Sequence, residues 1–404
     1  MCSIYGAFGR VINQRTLERI REQARDRGRD GGMHEWFNLA EHQAVIGHWR
    51  ATPATEAANA PSQPYGGIVH NGTIANDREL GNLPGAVDSM VLQHVLDRSS
   101  LGALVASLGR IQGSYAMAVV ADDRVYLATN YKPIYLLRQG KALYFSSMER
   151  HLLPLCAMGV RPQRLQPYSA IDLLTGKQQA IPREDNRRAL AICSSGLDST
   201  TAAYDLKAQG WDMTLLHFTY GCRAETREVD RIRKIGAHLG AEVVVLPIDY
   251  SQFKGQSPLL SDQAIASGAT GAEFAHEWVP ARNLVLIAHA VAYAEANGFG
   301  AVALGNNLEE GGAYPDNEEE FTHLLDQVLD YAVHDGGQVR LLAPVGKLMK
   351  HEIVTRGLEL GVPYELTWSC YHAGEQHCGN CGPCYMRREA FRRNNAPDPT
   401  GYEA

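Results

Sequence analysis

The chain has 404 residues, of which 45% are hydrophobic and 21% charged, so it is too long for one ordinary domain and has the composition of a soluble globular protein. A formal net charge of −7 excludes a general pull toward a phosphate backbone, and the densest basic run, Arg387, Arg388, Arg392 and Arg393, is short. No apolar run nears the roughly 18 to 20 residues that span a bilayer, and the N-terminus lacks the apolar stretch of a secretory signal, so a cytoplasmic location and a small-molecule substrate are expected.

Residues 1–182 alternate short apolar runs, Ala116–Ala121, Val125–Ala128 and Ala142–Phe145, with helical stretches over 15–30 and 88–98, which predicts an α+β domain. The charged stretch Pro182–Arg188 contains proline and lacks apolar periodicity, so residues 183–188 read as a linker. Beyond it come a strand at Ala189–Cys193, a helix at Ser199–Gln209, a strand at Met213–Phe218, a helix at Glu225–Leu239 and a strand at Glu242–Ile248. A further apolar helix at Asn283–Asn297 precedes a strand at Ala301–Leu304. That alternation predicts a doubly wound parallel sheet over residues 189–404, with ligands at the carboxyl ends of its strands.

Cys2 follows Met1 directly. Removal of Met1 would free the α-amine of Cys2 to take up the thiol proton and so activate the sulfur. Three compact segments accompany it: Gly47-His48-Trp49-Arg50-Ala51-Thr52, His70-Asn71-Gly72 and Asp88-Ser89. In this order, over most of residues 1–180, the set resembles the class II glutamine amidotransferases. The resemblance implies a four-layer N-terminal-nucleophile hydrolase sandwich in which Cys2 attacks the glutamine side-chain amide. Asn71 and the backbone amide of Gly72 would then hold the oxyanion. Arg50 would take the α-carboxylate, which its planar fork suits, and Asp88 the α-ammonium.

The segment Ser194-Ser195-Gly196-Leu197-Asp198-Ser199 is a short polar loop between a strand and a helix, whose amides and helix N-terminus suit phosphate. It lacks the Gly-Lys-Ser ending of a Walker A loop. It resembles the pyrophosphatase loop of ATP-dependent amidotransferases and thiolases, with Ser195 where glycine is usual. The resemblance implies cleavage of ATP to AMP and pyrophosphate, with Asp198 helping to hold Mg²⁺.

Near the end, Cys370, Cys378, Cys381 and Cys384 are separated by seven, two and two residues. Four thiolates at this spacing suit tetrahedral Zn²⁺, with Gly379 and Gly382 permitting a tight knuckle, and the three-cysteine run also suits an iron–sulfur cluster. The whole segment 366–391 resembles the tail of 7-cyano-7-deazaguanine synthases. Val279-Pro280-Ala281-Arg282-Asn283, Gly305-Asn306-Asn307, Tyr314-Pro315-Asp316 and Pro344-Val345-Gly346-Lys347 extend that resemblance over residues 188–393. It implies a structural zinc on the four cysteines, Arg282 and Lys347 neutralising phosphate charge, and Tyr314 and Asp316 at the substrate, with Asp316 accepting from an amino-pyrimidinone edge. Cys222 stands where the family has glutamine, and Asn317 where it has cysteine.

Together the resemblances imply a glutamine-hydrolysing, ATP-dependent carbon–nitrogen ligase that converts 7-carboxy-7-deazaguanine to 7-cyano-7-deazaguanine through an adenylate. Glutamine, ATP with Mg²⁺ and a 7-deazaguanine are its expected small-molecule partners, and a homodimer is common in that family. Two alternatives share the architecture. One is archaeosine synthase-like amidine formation on the nitrile in tRNA or DNA; the other is a defence-associated enzyme that joins a deazaguanine to a protein N-terminus. Asparagine synthetases combine the same two domain types but lack the four-cysteine tail and the Tyr-Pro-Asp segment.

Overall fold

The computed structural model describes residues 2–52, 62–183, 186–253, 257–273, 276–334 and 339–403. Met1 and linker residues 184 and 185 lie outside the described residues. The chain divides into two units, Met1–Glu184 and Asp185–Ala404.

The strands of the first unit are β1 (Ser3–Gly9), β2 (Gly31–Asn38), β3 (Gln43–Arg50), β4 (Ile68–Ile74), β5 (Gly113–Ala121), β6 (Arg124–Thr129), β7 (Tyr135–Gln139), β8 (Ala142–Ser146), β9 (Gln163–Arg164), β10 (Ser169–Asp172) and β11 (Gln178–Ala180). Its helices are α1 (Gln14–Ala24), α2 (Leu92–Val95), α3 (Leu101–Leu108) and α4 (Glu149–Leu152). One sheet runs β2-β3-β1-β8-β7-β9 and the other β11-β10-β6-β5-β4. Ile4, Phe8, Ala44 and Ile46 of the first sheet share a buried cluster with Val69, Ala116, Ala118 and Leu127 of the second, so the two sheets meet face to face. The outer face of the first sheet, with Tyr5, Ala7 and Val45, packs on Leu17, Ile20 and Ala24 of α1. The outer face of the second packs on Leu92, Leu101, Leu104 and Leu108. The result is the four-layer α-β-β-α sandwich expected of an N-terminal-nucleophile amidotransferase.

Two expected helices are shorter in the structure. The stretch 15–30 is helical only to Ala24, continues as a 3₁₀ turn at Arg25–Arg27, and is extended at Gly28, where a Cβ would stand 2.3 Å from the Trp49 carbonyl oxygen. The stretch 88–98 breaks into a 3₁₀ turn, Asp88–Val91, and the single turn of α2. Asp97 then accepts from the Ser99 amide and hydroxyl, and Ser100 caps α3 through the Ala103 amide, so side-chain bonds to backbone displace the helix.

The second unit has strands β12 (Arg188–Ile192), β13 (Asp212–Thr219), β14 (Glu242–Pro247), β15 (Ala301–Ala303) and β16 (Arg340–Leu342). Its helices are α5 (Leu197–Ala208), α6 (Glu225–Leu239), α7 (Gly268–Glu273), α8 (Arg282–Ala296), α9 (Leu308–Gly311), α10 (Glu319–Ala332), α11 (Lys350–Glu359) and α12 (Gly382–Arg393). The sheet order is β14-β13-β12-β15-β16, and every pairing is parallel. Alanines and branched residues bury both faces. Ala189, Ala191 and Leu215 pack with residues of α5, α6 and α11, while Leu190, Leu216 and Val302 pack with residues of α8 and α10. The strand order reverses beside β12, the first strand, which opens a crevice at the carboxyl ends of β12 and β15. Among the described residues no helix is long and apolar enough to cross a membrane.

Candidate functional sites

In the first unit, Ser3 pairs with Trp49, so Cys2 stands at the end of the β1–β3 ladder opposite Arg50. The Cys2 sulfur accepts from the Ala51 amide at 3.4 Å and lies 3.7 Å from the Ala51 carbonyl oxygen. Ile4, Ile46 and Val69 face inward, and the two-residue period of a strand puts Cys2, Arg50 and Asn71 on the same inward faces. Arg50 and Asn71 are both buried. The Asn71 side-chain nitrogen has no hydrogen-bond partner among the described residues, as a donor reserved for a ligand would have none. A Cβ on Gly72 would stand 1.8 Å from the Ser114 carbonyl oxygen, so the strand pairing itself demands glycine there.

Asp88 is tied to backbone. One carboxylate oxygen accepts from the Ile74 amide at 2.6 Å, and the other from the Ser89 amide at 2.6 Å and the Ser89 hydroxyl at 3.1 Å, so the first oxygen keeps a lone pair that suits an ammonium. Arg27 belongs to this neighbourhood and was not anticipated from the sequence. Burial lowers its pKa and the nearby Arg150 adds to this, while Asp26 and Cys2 oppose the shift. Neighbouring Gly28, pressed against the Trp49 backbone, is the local reason the chain turns there.

In the second unit a cleft of about 260 Å³ opens at the carboxyl ends of the strands. Ser194, Gly196, Leu197, Asp198, Ser199 and Arg282 line it. Ser195 adopts a left-handed conformation, φ 66°, and its fully buried hydroxyl has no partner among the described residues. Its carbonyl accepts from the Trp368 amide at 2.9 Å, which fixes the loop from the side of the cysteine tail.

Three charged side chains form the floor. The Lys350 ammonium lies 3.2 Å from Asp198 and 2.6 Å from Glu310. Burial pushes Asp198 up to about 6, against the pull of Lys350 and helped by Glu310. One oxygen of Asp198 is buried without a partner among the described residues, and the cluster carries one net negative charge, so it fits a divalent cation. Mg²⁺ held there would neutralise phosphate oxygens.

Lys347, expected at the phosphates, is not in the cleft. Its side chain is 80% exposed and pairs with Glu319 at 3.1 Å, whereas Lys350, at the start of α11, points inward. Tyr314 and Asp316 do not line the cleft either. Tyr314 stacks on Trp278, and Asp316 lies against Arg282 and Asn283, its carboxyl raised by burial and lowered by Arg282. Cys222 and Asn317, the two departures, do line it, together with Glu228 and His217.

The four tail sulfurs lie within 4.8 Å of one another. A tetrahedral site with Zn–S bonds of about 2.3 Å needs sulfurs about 3.8 Å apart, and the Cys370 and Cys381 sulfurs are already 4.0 Å apart. Backbone amides of His372 and Cys378 donate to the Cys370 sulfur, and that of Cys381 to the Cys378 sulfur, which suits thiolates. Gly379 supplies the positive φ of the knuckle, 74°. The four cysteines therefore fit a metal such as zinc.

The family model described as queuosine biosynthesis protein QueC matches residues 188–395. The 7-cyano-7-deazaguanine synthase of Sulfolobus acidocaldarius is 42% identical, with all of both chains covered, and that of Saccharolobus solfataricus is 37% identical with the same coverage. The 7-cyano-7-deazaguanine synthase of Methanothrix thermoacetophila is 39% identical and matches 54% of this chain and 99% of its own length.

Proposed function

The chain belongs to the QueC family of queuosine biosynthesis proteins, and from that membership we propose that it is a glutamine- and ATP-dependent amidotransferase acting on a 7-deazaguanine. In this reading Cys2, once Met1 is removed, attacks the glutamine amide while Asn71 and the Gly72 amide hold the oxyanion and Arg50 and Asp88 hold the amino-acid end. In the second unit the substrate carboxylate attacks ATP, giving an adenylate and pyrophosphate. Arg282 and Lys350 offset the charge, and Asp316, beside Arg282 and outside the cleft lining, acts on the substrate through that arginine. Ammonia displaces AMP to form the amide, and a second activation removes water to give the nitrile. The four cysteines hold a structural zinc.

The single observation that carries the reading is that one chain has both a buried Asn71 side-chain nitrogen without a partner among the described residues, in a four-layer sandwich that also presents Cys2, and a strand-end cleft floored by Asp198, Lys350 and Glu310. The test is product analysis by mass spectrometry with 7-carboxy-7-deazaguanine and ATP. Cys2→Ala should abolish synthesis from glutamine and spare synthesis from ammonium chloride; equal loss with both nitrogen sources sinks the scheme.

Cys222 in the cleft favours one second reading, amidine formation on a nitrile. Addition of ammonia to a nitrile needs no adenylate, so Asp198→Ala would leave that reaction running and stop carboxylate activation.

A further inference from the structure

The cleft contains a carboxylic acid for which adenylate formation has no use. Glu228 lies in the first turn of α6, and its side chain, 17% exposed, lines the cleft beside Cys222. One of its oxygens accepts from the Cys222 thiol at 3.7 Å and stands 3.9 Å from Nε2 of His217. The other ring nitrogen of His217, Nδ1, is 2.9 Å from the Cys193 carbonyl oxygen. A carbonyl only accepts, so Nδ1 carries the proton and Nε2 of the neutral ring is left as an acceptor. Nε2 is buried and has no hydrogen-bond partner among the described residues. Cys222, Glu228 and His217 thus stand in a row, and across a gap of 3.9 Å the neutral His217 ring donates nothing to the carboxylate.

Resting on the reading that ammonia meets an adenylated carboxylate in this cleft, we propose that Glu228 takes the proton shed by the attacking ammonia. In that step the carbon–nitrogen bond forms and the carbon–oxygen bond to AMP breaks. The electron pair of the broken bond leaves on the AMP phosphate oxygen, and one of the three ammonia protons goes to the Glu228 carboxylate. The amide keeps the other two.

Cys222 is a poor rival for this role. Burial, together with the Glu228 charge, raises its thiol far above the usual range, so it remains protonated and offers neither a base nor a thiolate. Burial pushes Glu228 itself up to about 7, with Cys222 and Arg282 opposing and Glu225 adding to the rise. It is therefore a carboxylate on the alkaline side of neutrality and a proton acceptor of matched strength. The titratable and charged groups facing it are Cys222 and Tyr220 from the loop after β13, His217 from β13, Cys193 just after β12, Arg282 from α8 and Glu225 from its own helix.

Glu228→Gln separates the steps. Substrate-dependent exchange of pyrophosphate into ATP reports adenylate formation before ammonia enters, and AMP release with ammonium chloride reports the ammonia step. The variant should keep exchange within about threefold, lose the ammonia step by about 100-fold, and lose the rise in rate through neutral pH, while Glu228→Asp recovers part of it. Equal loss of exchange and ammonia transfer would mean that Glu228 only supports the cleft, and would overturn the proposal. So would a covalent substrate adduct on Cys222 when the wild-type protein is given substrate and ATP without ammonia. A wild-type protein without substrate-dependent exchange overturns the parent reading, and this inference with it.

Discussion

The ammonium of Lys350 stands 3.2 Å from the carboxylate of Asp198, at the first turn of the helix that follows the Ser194–Ser199 loop into the cleft. Both side chains are largely buried, and Glu310 closes the cluster from the other side of the lysine. Removing Lys350 would leave two carboxylates facing each other in the interior, a change that costs about 3 to 5 kcal/mol in comparable buried pairs. Lys350→Ala should therefore lower the unfolding midpoint of the second unit and reduce pyrophosphate exchange at least 100-fold. Lys347→Ala, three residues away on the surface, should change both by less than about twofold. Matched losses in the two variants would refute the assignment of the inward lysine.

Asn71 and Gly72 are neighbours with opposite vulnerabilities. Asn71→Ala removes an unpaired buried donor, so stability should change by less than about 1 kcal/mol while glutaminase turnover falls about 100- to 1,000-fold. Gly72→Ala drives a methyl into the Ser114 carbonyl and should destabilise the first unit. Urea unfolding and glutamate release, measured on both variants, check the pair. An Asn71→Ala protein with full glutaminase turnover would remove Asn71 from the oxyanion site.

Ser195 holds a left-handed backbone that costs an L-residue about 1 kcal/mol, and it buries a hydroxyl with no partner among the described residues. Ser195→Gly relieves both. Set against the extra freedom of glycine in the unfolded chain, the expected net gain is about 1 kcal/mol in the second unit, with nucleotide binding retained. A drop in the denaturation midpoint would show that the serine makes a contact worth more than its strain.

The four-cysteine site predicts one equivalent of metal in the purified protein. Elemental analysis should find zinc, and a strong chelator or Cys384→Ser should lower the melting temperature of the second unit while sparing glutaminase activity. Iron, acid-labile sulfide and a broad visible absorption would replace zinc by a cluster.

Much of the scaffold was legible because its signals are local. The expected strand Ala142–Phe145 became Ala142–Ser146 and the expected helix Glu225–Leu239 kept its ends, since an apolar run or an amphipathic face declares itself. The stretch 88–98 failed because Asp97 and Ser100 carry their hydrogen bonds into the backbone, a competition that periodicity does not register. At the sites, Cys2, Asn71 and the Ser194–Ser199 loop could be read as contiguous motifs. Lys350 and Glu228 could not. One is three residues past the Pro344–Lys347 segment, and the other looks like an ordinary acid in a helix first turn, where it also suits the dipole. Arg27 had no sequence signal beyond the glycine that follows it. Burial and facing partners distinguish all three, and those belong to the folded chain.

The bond from the Trp368 amide to the Ser195 carbonyl joins the residue two before Cys370 to the one strained position of the phosphate loop. In the proposed reading, thiol chemistry in the tail therefore reaches the ATP site without touching the loop. On that reading, an oxidant or a chelator that disturbs the knuckle would act as a nucleotide inhibitor at a distance, raising the KM for ATP before the unit unfolds.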